Sequence, residues 1–208
     1  MKVFIYGFNG NMGRRYRAIL DHLGHECGGY DFEGGGKRLF YFAPPQADCF
    51  LVASPTKTHC EILFDLKDCG RPILCEKPIT KSMTQLEDLI AALKRAGTRL
   101  QMVSQYDYLG IPETAGETLY DYYRHGSDGL LWDCINIIWH AKGEIILGEK
   151  SPVWHCQING KWLNLGDMDR AYVTMLEWWL KDPTEVHYDR ILEAHQKVHK
   201  LEATWRTS

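Results

Sequence analysis

The chain lacks any excess of positive charge, since 24 Lys and Arg face 27 Asp and Glu for a formal net charge of -3. Without a basic field to hold a phosphate backbone, nucleic acid is a poor candidate partner, and any anion must be bound locally. Paired cysteines are also missing. Cys27, Cys49, Cys60, Cys69, Cys75, Cys134 and Cys156 are odd in number, scattered, and never spaced Cys-x-x-Cys. They read as free, mostly buried thiols, with no metal site implied. Long hydrophobic runs are absent from the start of the chain: the apolar stretch in MKVFIYGFNG is too short for a signal core and far too short to span a bilayer. A cytoplasmic protein in reducing conditions, with no membrane partner, is the expectation. No internal repeat or low-complexity segment is visible either.

What is present is ordinary globular composition, 45% hydrophobic and 25% charged, over 208 residues. That length buries a core but leaves room for one large domain or two lean ones. The first hundred residues alternate short apolar runs with helical patterns, the signature of a parallel sheet flanked by helices. Lys2 to Tyr6 reads as a buried strand. Met12, Tyr16, Leu20 and Leu23 form a helical stripe that Gly24 can cap. Glu26 to Tyr30, Cys49 to Ala53, Pro72 to Cys75 and Leu100 to Ser104 read as further strands. Between Asp31 and Gln46 a full helix and strand hardly fit, so a loop through Gly34, Gly35 and Gly36 is expected. Ser82 and Gln85 make a capping-box pattern ahead of Leu86, Leu89, Ile90 and Leu93.

After Leu109 the pattern changes, and no second Gly-rich turn appears. The expected architecture is therefore α/β: a Rossmann-type parallel sheet at 1–109, then a small α+β lobe at 110–208 containing an antiparallel sheet. In that lobe Thr114 to His125 looks helical. Leu130 to Ala141, Glu144 to Leu147 and Val153 to Leu165 look like strands, with turns at Lys142-Gly143 and Asn159-Gly160. Two closing helices carry Tyr172, Met175, Leu176 and Trp179, then Ile191, Ala194, Val198, Leu201 and Trp205.

The strongest chemical signal is GFNGNMG, which sets Gly7, Gly10 and Gly13 between a strand and a helix. Glycines there let the backbone turn sharply and approach a pyrophosphate, whose charge faces free N–H groups at the helix start. Asn9, Asn11 and Met12 lie within the same turn. Asp31 falls where an acidic residue can hydrogen-bond a ribose hydroxyl, which favours NAD; Arg14, Arg15, Lys37 and Arg38 could instead hold the 2′-phosphate of NADP.

A second signal is Ser54-Pro55-Thr56-Lys57-Thr58-His59 after one strand and Cys75-Glu76-Lys77-Pro78 after the next. With these motifs, DCFLVASPTKTHCEILFDLKDCGRPILCEKPI resembles the Gfo/Idh/MocA oxidoreductase family from its central strand to its Glu-Lys-Pro turn. The closing segment AYVTMLEWWLKDPTEVHYDRILEAHQKVHK is similar, less specifically, to the family's final helix pair. The glycine spacing alone also looks like dihydrodipicolinate reductase, which does not supply the Glu-Lys-Pro turn.

The resemblance implies that Gly7, Gly10, Asn11, Met12 and Gly13 line the pyrophosphate, with Asn9 also on the cofactor. It also implies that Ser54, Pro55, Thr56 and His59 run beside the dinucleotide, and that Glu76 and Lys77 approach the nicotinamide. His59 could equally cap or pack on its helix. Lys77 is the implied catalytic group, because a lysine beside substrate in a dry cleft can be tuned to pass a proton. The activity implied is NAD(P)-dependent hydride transfer to or from a sugar-like or other polyhydroxylated small molecule. The chain departs from the family in its short second lobe and its lack of the family's catalytic His: in GKWLNLGDMD, Met168 stands where that His would be, and Asp169 alone matches. A dinucleotide-binding protein without turnover is the second reading. His140, His155 and Asp169 are candidate substrate residues, as are Gln105, Tyr106 and Tyr108. The run through Trp132, Ile135, Ile137, Ile138 and Trp139 is long for a one-sided sheet and points to a homo-oligomer formed through it.

Overall fold

The computed structural model describes residues 1–33, 36–41, 43–108, 120–121, 145–147, 155–158, 161–164 and 168–205. The chain divides into two compact units, Met1–Val103 with Trp179–Leu192, and Ser104–Trp178 with Glu193–Ser208.

The first unit is built on a six-stranded sheet. Its strands are β1 (Lys2–Tyr6), β2 (Glu26–Glu33), β3 (Gly36–Phe40), β4 (Cys49–Val52), β5 (Ile73–Cys75) and β6 (Leu100–Met102), in the order β3-β2-β1-β4-β5-β6. Five strands run parallel and β3 is antiparallel on β2. Val3, Phe4, Ile5, Cys49 to Val52 and Ile73 to Cys75 are all buried, as continuous apolar strands covered on both faces must be. Helix α1 (Asn11–His22) buries Tyr16, Ile19 and Leu20 and ends at Gly24, whose φ of 73° only glycine adopts cheaply. Helix α2 (His59–Leu66) packs on α3 (Met83–Ala96). Ser82 accepts from the Gln85 N–H at the start of α3, and Gly97 caps its end with φ 68°. The Gln85 side chain does not complete the expected capping box; it accepts instead from the Thr80 hydroxyl at 2.7 Å.

The loop expected between Asp31 and Gln46 is corrected by the structure. β2 continues to Glu33, and β3 returns beside it with Asp31 opposite Arg38 and Glu33 opposite Gly36. Two residues between paired strands is hairpin spacing, which Gly-Gly sequences favour; Gly34 and Gly35 themselves lie outside the described residues. At the other edge, β6 is covered by the segment from 179 to 192. The His187 N–H donates to Leu100 O at 3.0 Å, the Gln101 amide donates to Glu185 O at 3.1 Å, and the Tyr188 hydroxyl donates to Thr98 O. Strand edges left open invite unwanted pairing, and this cover removes one.

In the second unit, β8 (Ile145–Leu147), β9 (His155–Ile158) and β10 (Lys161–Asn164) form an antiparallel ladder, and β7 (Tyr120–Asp121) joins β8 in parallel. Tyr120–Asp121 therefore departs from the helix expected over Thr114 to His125, pairing with a distant strand having outweighed local periodicity. The remainder of that segment, the expected strand Leu130 to Ala141 with its apolar run, and both turn signals lie outside the described residues. Helices α4 (Met168–Lys181) and α5 (Tyr188–Trp205) close the chain. They bury Tyr172, Met175, Leu176, Trp179, Ile191, Ala194 and Val198 of the expected stripe; the side chains of Leu201 and Trp205 lie outside the described residues. Among the described residues no helix is long and apolar enough to cross a membrane. Cys27, Cys49, Cys60, Cys69 and Cys75 are free thiols, with Cys49, Cys60 and Cys75 buried and Cys27 and Cys69 half-buried.

Candidate dinucleotide site at the carboxyl edge of the sheet

β1 has β2 on one side and β4 on the other, so the chain reverses its direction of travel across the sheet at the β1/β4 boundary. The crevice outside the carboxyl ends of such strands is where ligands collect in open α/β sheets. Tyr6 and Val52 are paired there, and the chain leaves the sheet at Gly7 on one strand and at Ala53 and Ser54 on the other.

The glycine turn is held by backbone. The N–H groups of Gly7 and Phe8 both donate to Tyr30 O at 3.0 Å, and Gly10 N–H donates to Gly7 O at 3.1 Å. Gly7 has φ 86°, and a Cβ on it would lie 2.7 Å from Ala53 O and from Ser54 N. A Cβ on Gly13 would lie 2.0 Å from Gly7 O. These are close approaches of main chain to main chain that no side chain survives. Beyond them, Gly10 caps α1 with no side-chain hydrogen bond, and the first turn carries no acidic residue. An uncapped helix start with no neighbouring carboxylate of its own is a ready place for an anion. Gly7, Gly10, Asn11, Met12 and Gly13 thus fit a dinucleotide pyrophosphate.

Asn9 and Asp31, both expected to meet cofactor, meet each other: Asn9 N–H donates to Asp31 Oδ2 at 2.5 Å. Arg14 is turned onto the same loop, donating to Asn9 O at 2.8 Å and Asn11 Oδ1 at 2.7 Å. Arg17, which sequence reasoning passed over, reaches Asn9 Oδ1 at 3.2 Å and lies 4.2 Å from the Phe8 ring centroid. Arg15 is exposed and contacts Met12 Sδ at 3.8 Å. The side chains of Lys37 and Arg38 lie outside the described residues.

At the second strand end, Ser54 Oγ accepts from the Thr58 hydroxyl at 2.8 Å, with Pro55 exposed and Thr56 half-buried beside it. His59 is turned into the protein. It is 1% exposed, with Nδ1 2.9 Å from Pro78 O and Nε2 2.7 Å from Ser54 O. Burial pushes its imidazole below the ordinary value, while the two carbonyls and Glu76 pull the other way. Its ring bridges the loops after β4 and β5.

At the third strand end, Glu76 is 8% exposed; Oε1 accepts from the Tyr16 hydroxyl at 2.5 Å and Oε2 from the Lys77 N–H at 3.0 Å. Tyr16 was legible only as a core position on α1, because nothing in the spacing of Tyr16 and Glu76 signals that they meet. Lys77 is half-buried and is followed by a cis peptide to Pro78. The structure thus brings Gly7 to Gly13, Asp31, Ser54 to His59, Glu76 and Lys77 to one edge of the first unit. Gln105, Tyr106, Tyr108, His155 and Asp169 belong to the second unit. Gln105 is buried, Tyr108 and Asp169 are exposed, and His155 opens β9. The side chain of Tyr106 and the whole of His140 lie outside the described residues.

Comparison with known proteins agrees with this geometry. Residues 41–104 match the family model described as oxidoreductase family, NAD-binding Rossmann fold. An uncharacterized oxidoreductase, YrbE of Bacillus subtilis, is 23% identical over 156 residues, 63% of this chain. The alignment spans 46% of that relative, just under half its length. Among solved structures, the WlbA dehydrogenase of Thermus thermophilus, in complex with NAD and UDP-GlcNAcA, is similar with a TM-score of 0.66 at 13% identity, over 97% of this chain and 94% of that one. A Gfo/Idh/MocA family oxidoreductase from Vibrio cholerae gives 0.66 at 11% identity, over 100% and 99%. At such identities the structural likeness speaks for the fold, and the family match speaks for residues 41–104, which are similar to the NAD-binding Rossmann fold of an oxidoreductase family.

Proposed function

We propose that the chain catalyses NAD(P)-dependent hydride transfer to or from a polyhydroxylated small molecule of the sugar class, with Lys77 as its acid–base residue. The observation that carries this reading is the meeting of two features at one sheet edge: an uncapped glycine turn at the switch point, and a polar turn bearing Lys77 after β5. The first suits a pyrophosphate and the second a reacting hydroxyl. WlbA, whose structure holds NAD and a nucleotide sugar, supports the substrate class.

The turn from Gly7 to Gly13 and the start of α1 would hold the phosphates, and Asp31 would meet a ribose hydroxyl with whatever capacity its bond to Asn9 leaves. That arrangement supports NAD over NADP. A bound nicotinamide would supply or accept the hydride. Lys77 would take the proton from the substrate hydroxyl during oxidation and return it during reduction. A positioned group of this kind contributes about a hundredfold to ten thousandfold in rate. Lys77→Met should therefore lower kcat by about that factor while shifting dinucleotide affinity by roughly tenfold or less. Fluorescence titration with NADH and NADPH, followed by steady-state rates across a panel of sugar acids and nucleotide sugars, tests both halves. Absence of saturable binding by either dinucleotide overturns the assignment.

A further inference from the structure

A buried tyrosine hydroxyl needs a partner, whereas phenylalanine would fill nearly the same volume without one. Tyr16 is 0% exposed, and its hydroxyl is spent on a residue 60 positions away in the chain, Glu76 Oε1. Burying a carboxyl group is costly unless its oxygens are satisfied. Both of these are: Tyr16 donates to one oxygen, and the Lys77 N–H donates to the other. On the far side of Lys77 the Pro78 carbonyl faces His59 Nδ1, and the second nitrogen of that ring faces Ser54 O. Buried side chains thus hold the turn at the Lys77 N–H and at the Pro78 carbonyl.

Tyr16 lies three residues after Gly13 on α1, the helix whose uncapped start fits the phosphates. It therefore ties one end of the dinucleotide site to the other. We propose that Tyr16 is a positioning residue for Lys77, acting through the Glu76 carboxylate and setting the distance between phosphate-binding helix and acid–base turn. The inference rests on the role given to Lys77 above. Small displacements of a reacting group are expensive, about a hundredfold for roughly 1 Å. Phosphate contacts to the glycine turn do not involve the hydroxyl, so affinity should be spared.

Tyr16→Phe keeps the ring and removes only the bond. It should lower kcat by about tenfold, with NADH affinity within about twofold, and move the limb of the pH–rate profile that reports Lys77. In a Lys77→Met background the same change should alter kcat by less than about twofold, because residues acting through one another are not additive. A purely structural hydroxyl would instead lower thermal stability and multiply its loss onto Lys77→Met, and that result overturns the proposal. A second measurement needs no substrate: acetylation by acetic anhydride, read by mass spectrometry, compares Lys77 with exposed Lys57. Unchanged relative labelling of Lys77 in Tyr16→Phe also overturns it. If the wild-type chain binds no NADH but Lys77 labelling still responds to Tyr16→Phe, the positioning pair stands and the assigned function falls.

Discussion

The two turns at the carboxyl ends of β1 and β5 are built by opposite means. Between β1 and α1 the chain is shaped by what is missing: Gly7 and Gly13 have no side chain, and the space a Cβ would need is filled by the main chain of Ala53, Ser54 and Gly7 itself. After β5 it is shaped by what is present: Glu76 accepts from the Lys77 N–H and from the Tyr16 hydroxyl, and His59 Nδ1 meets the Pro78 carbonyl. A turn of the first kind spends the N–H groups of Gly7 to Gly10 on Tyr30 O, Asp31 and Gly7 O, and offers a ligand the start of the helix that follows. A turn of the second kind consumes its polar groups to hold one side chain still. The first suits binding, and the second suits chemistry.

The sharpest way to break this contrast is at Gly13. Gly13→Ala puts a Cβ 2.0 Å from Gly7 O, so α1 must shift, at about 3 kcal/mol or more of stability. Saturable NADH binding should be lost with it. Gly10→Ala meets Gly7 O only at 3.2 Å, and should cost roughly 1 kcal/mol or less. Equal effects from the two substitutions in denaturant melts and NADH titrations would mean that the turn is not shaped by close approach.

On the polar side, His59→Phe strands the carbonyls of Ser54 and Pro78, each having lost a ring nitrogen within 3 Å. Stability should fall by about 2 kcal/mol, seen as a lower urea midpoint. NADH affinity should change less than in Gly13→Ala, since the ring is turned inward. Loss of binding without loss of stability would place His59 on the ligand after all.

An effect confined to alkaline pH comes last. Burial, with Tyr30, Asp65 and Cys69 adding to it, pushes the Tyr6 phenol up to about 12 from 10.0. The neutral phenol is thus favoured in the folded chain, and its contribution to stability is whole below pH 10 and lost as pH rises from 10 toward 12. Phenolate absorbance should show a late-titrating tyrosine that Tyr6→Phe removes. That variant should also soften the fall in stability across the same window.

Much of the binding turn was legible in the chain. Gly7, Gly10 and Gly13 announce a tight strand-to-helix turn because glycine alone tolerates such an approach, and the buried strands announce themselves as continuous apolar runs. Less could be read of the polar turn: Glu76-Lys77-Pro78 stood out only through its likeness to a family, and Tyr16 read as one more apolar position on a helical stripe. β3 was missed because a short antiparallel return depends on the strand beside it more than on its own residues.

Local sequence thus determined where the backbone turns and which faces are apolar, since φ preferences and hydrophobic periodicity act over a few residues. Only the tertiary structure decided which polar groups meet. Tyr16 with Glu76, His59 with Ser54 and Pro78, and Asn9 with Asp31 lie between 5 and 60 residues apart. A hydrogen bond forms only where folding brings donor and acceptor within about 3 Å. It is the order of the parallel strands, set by the packing of the whole sheet, that brings those strand ends together.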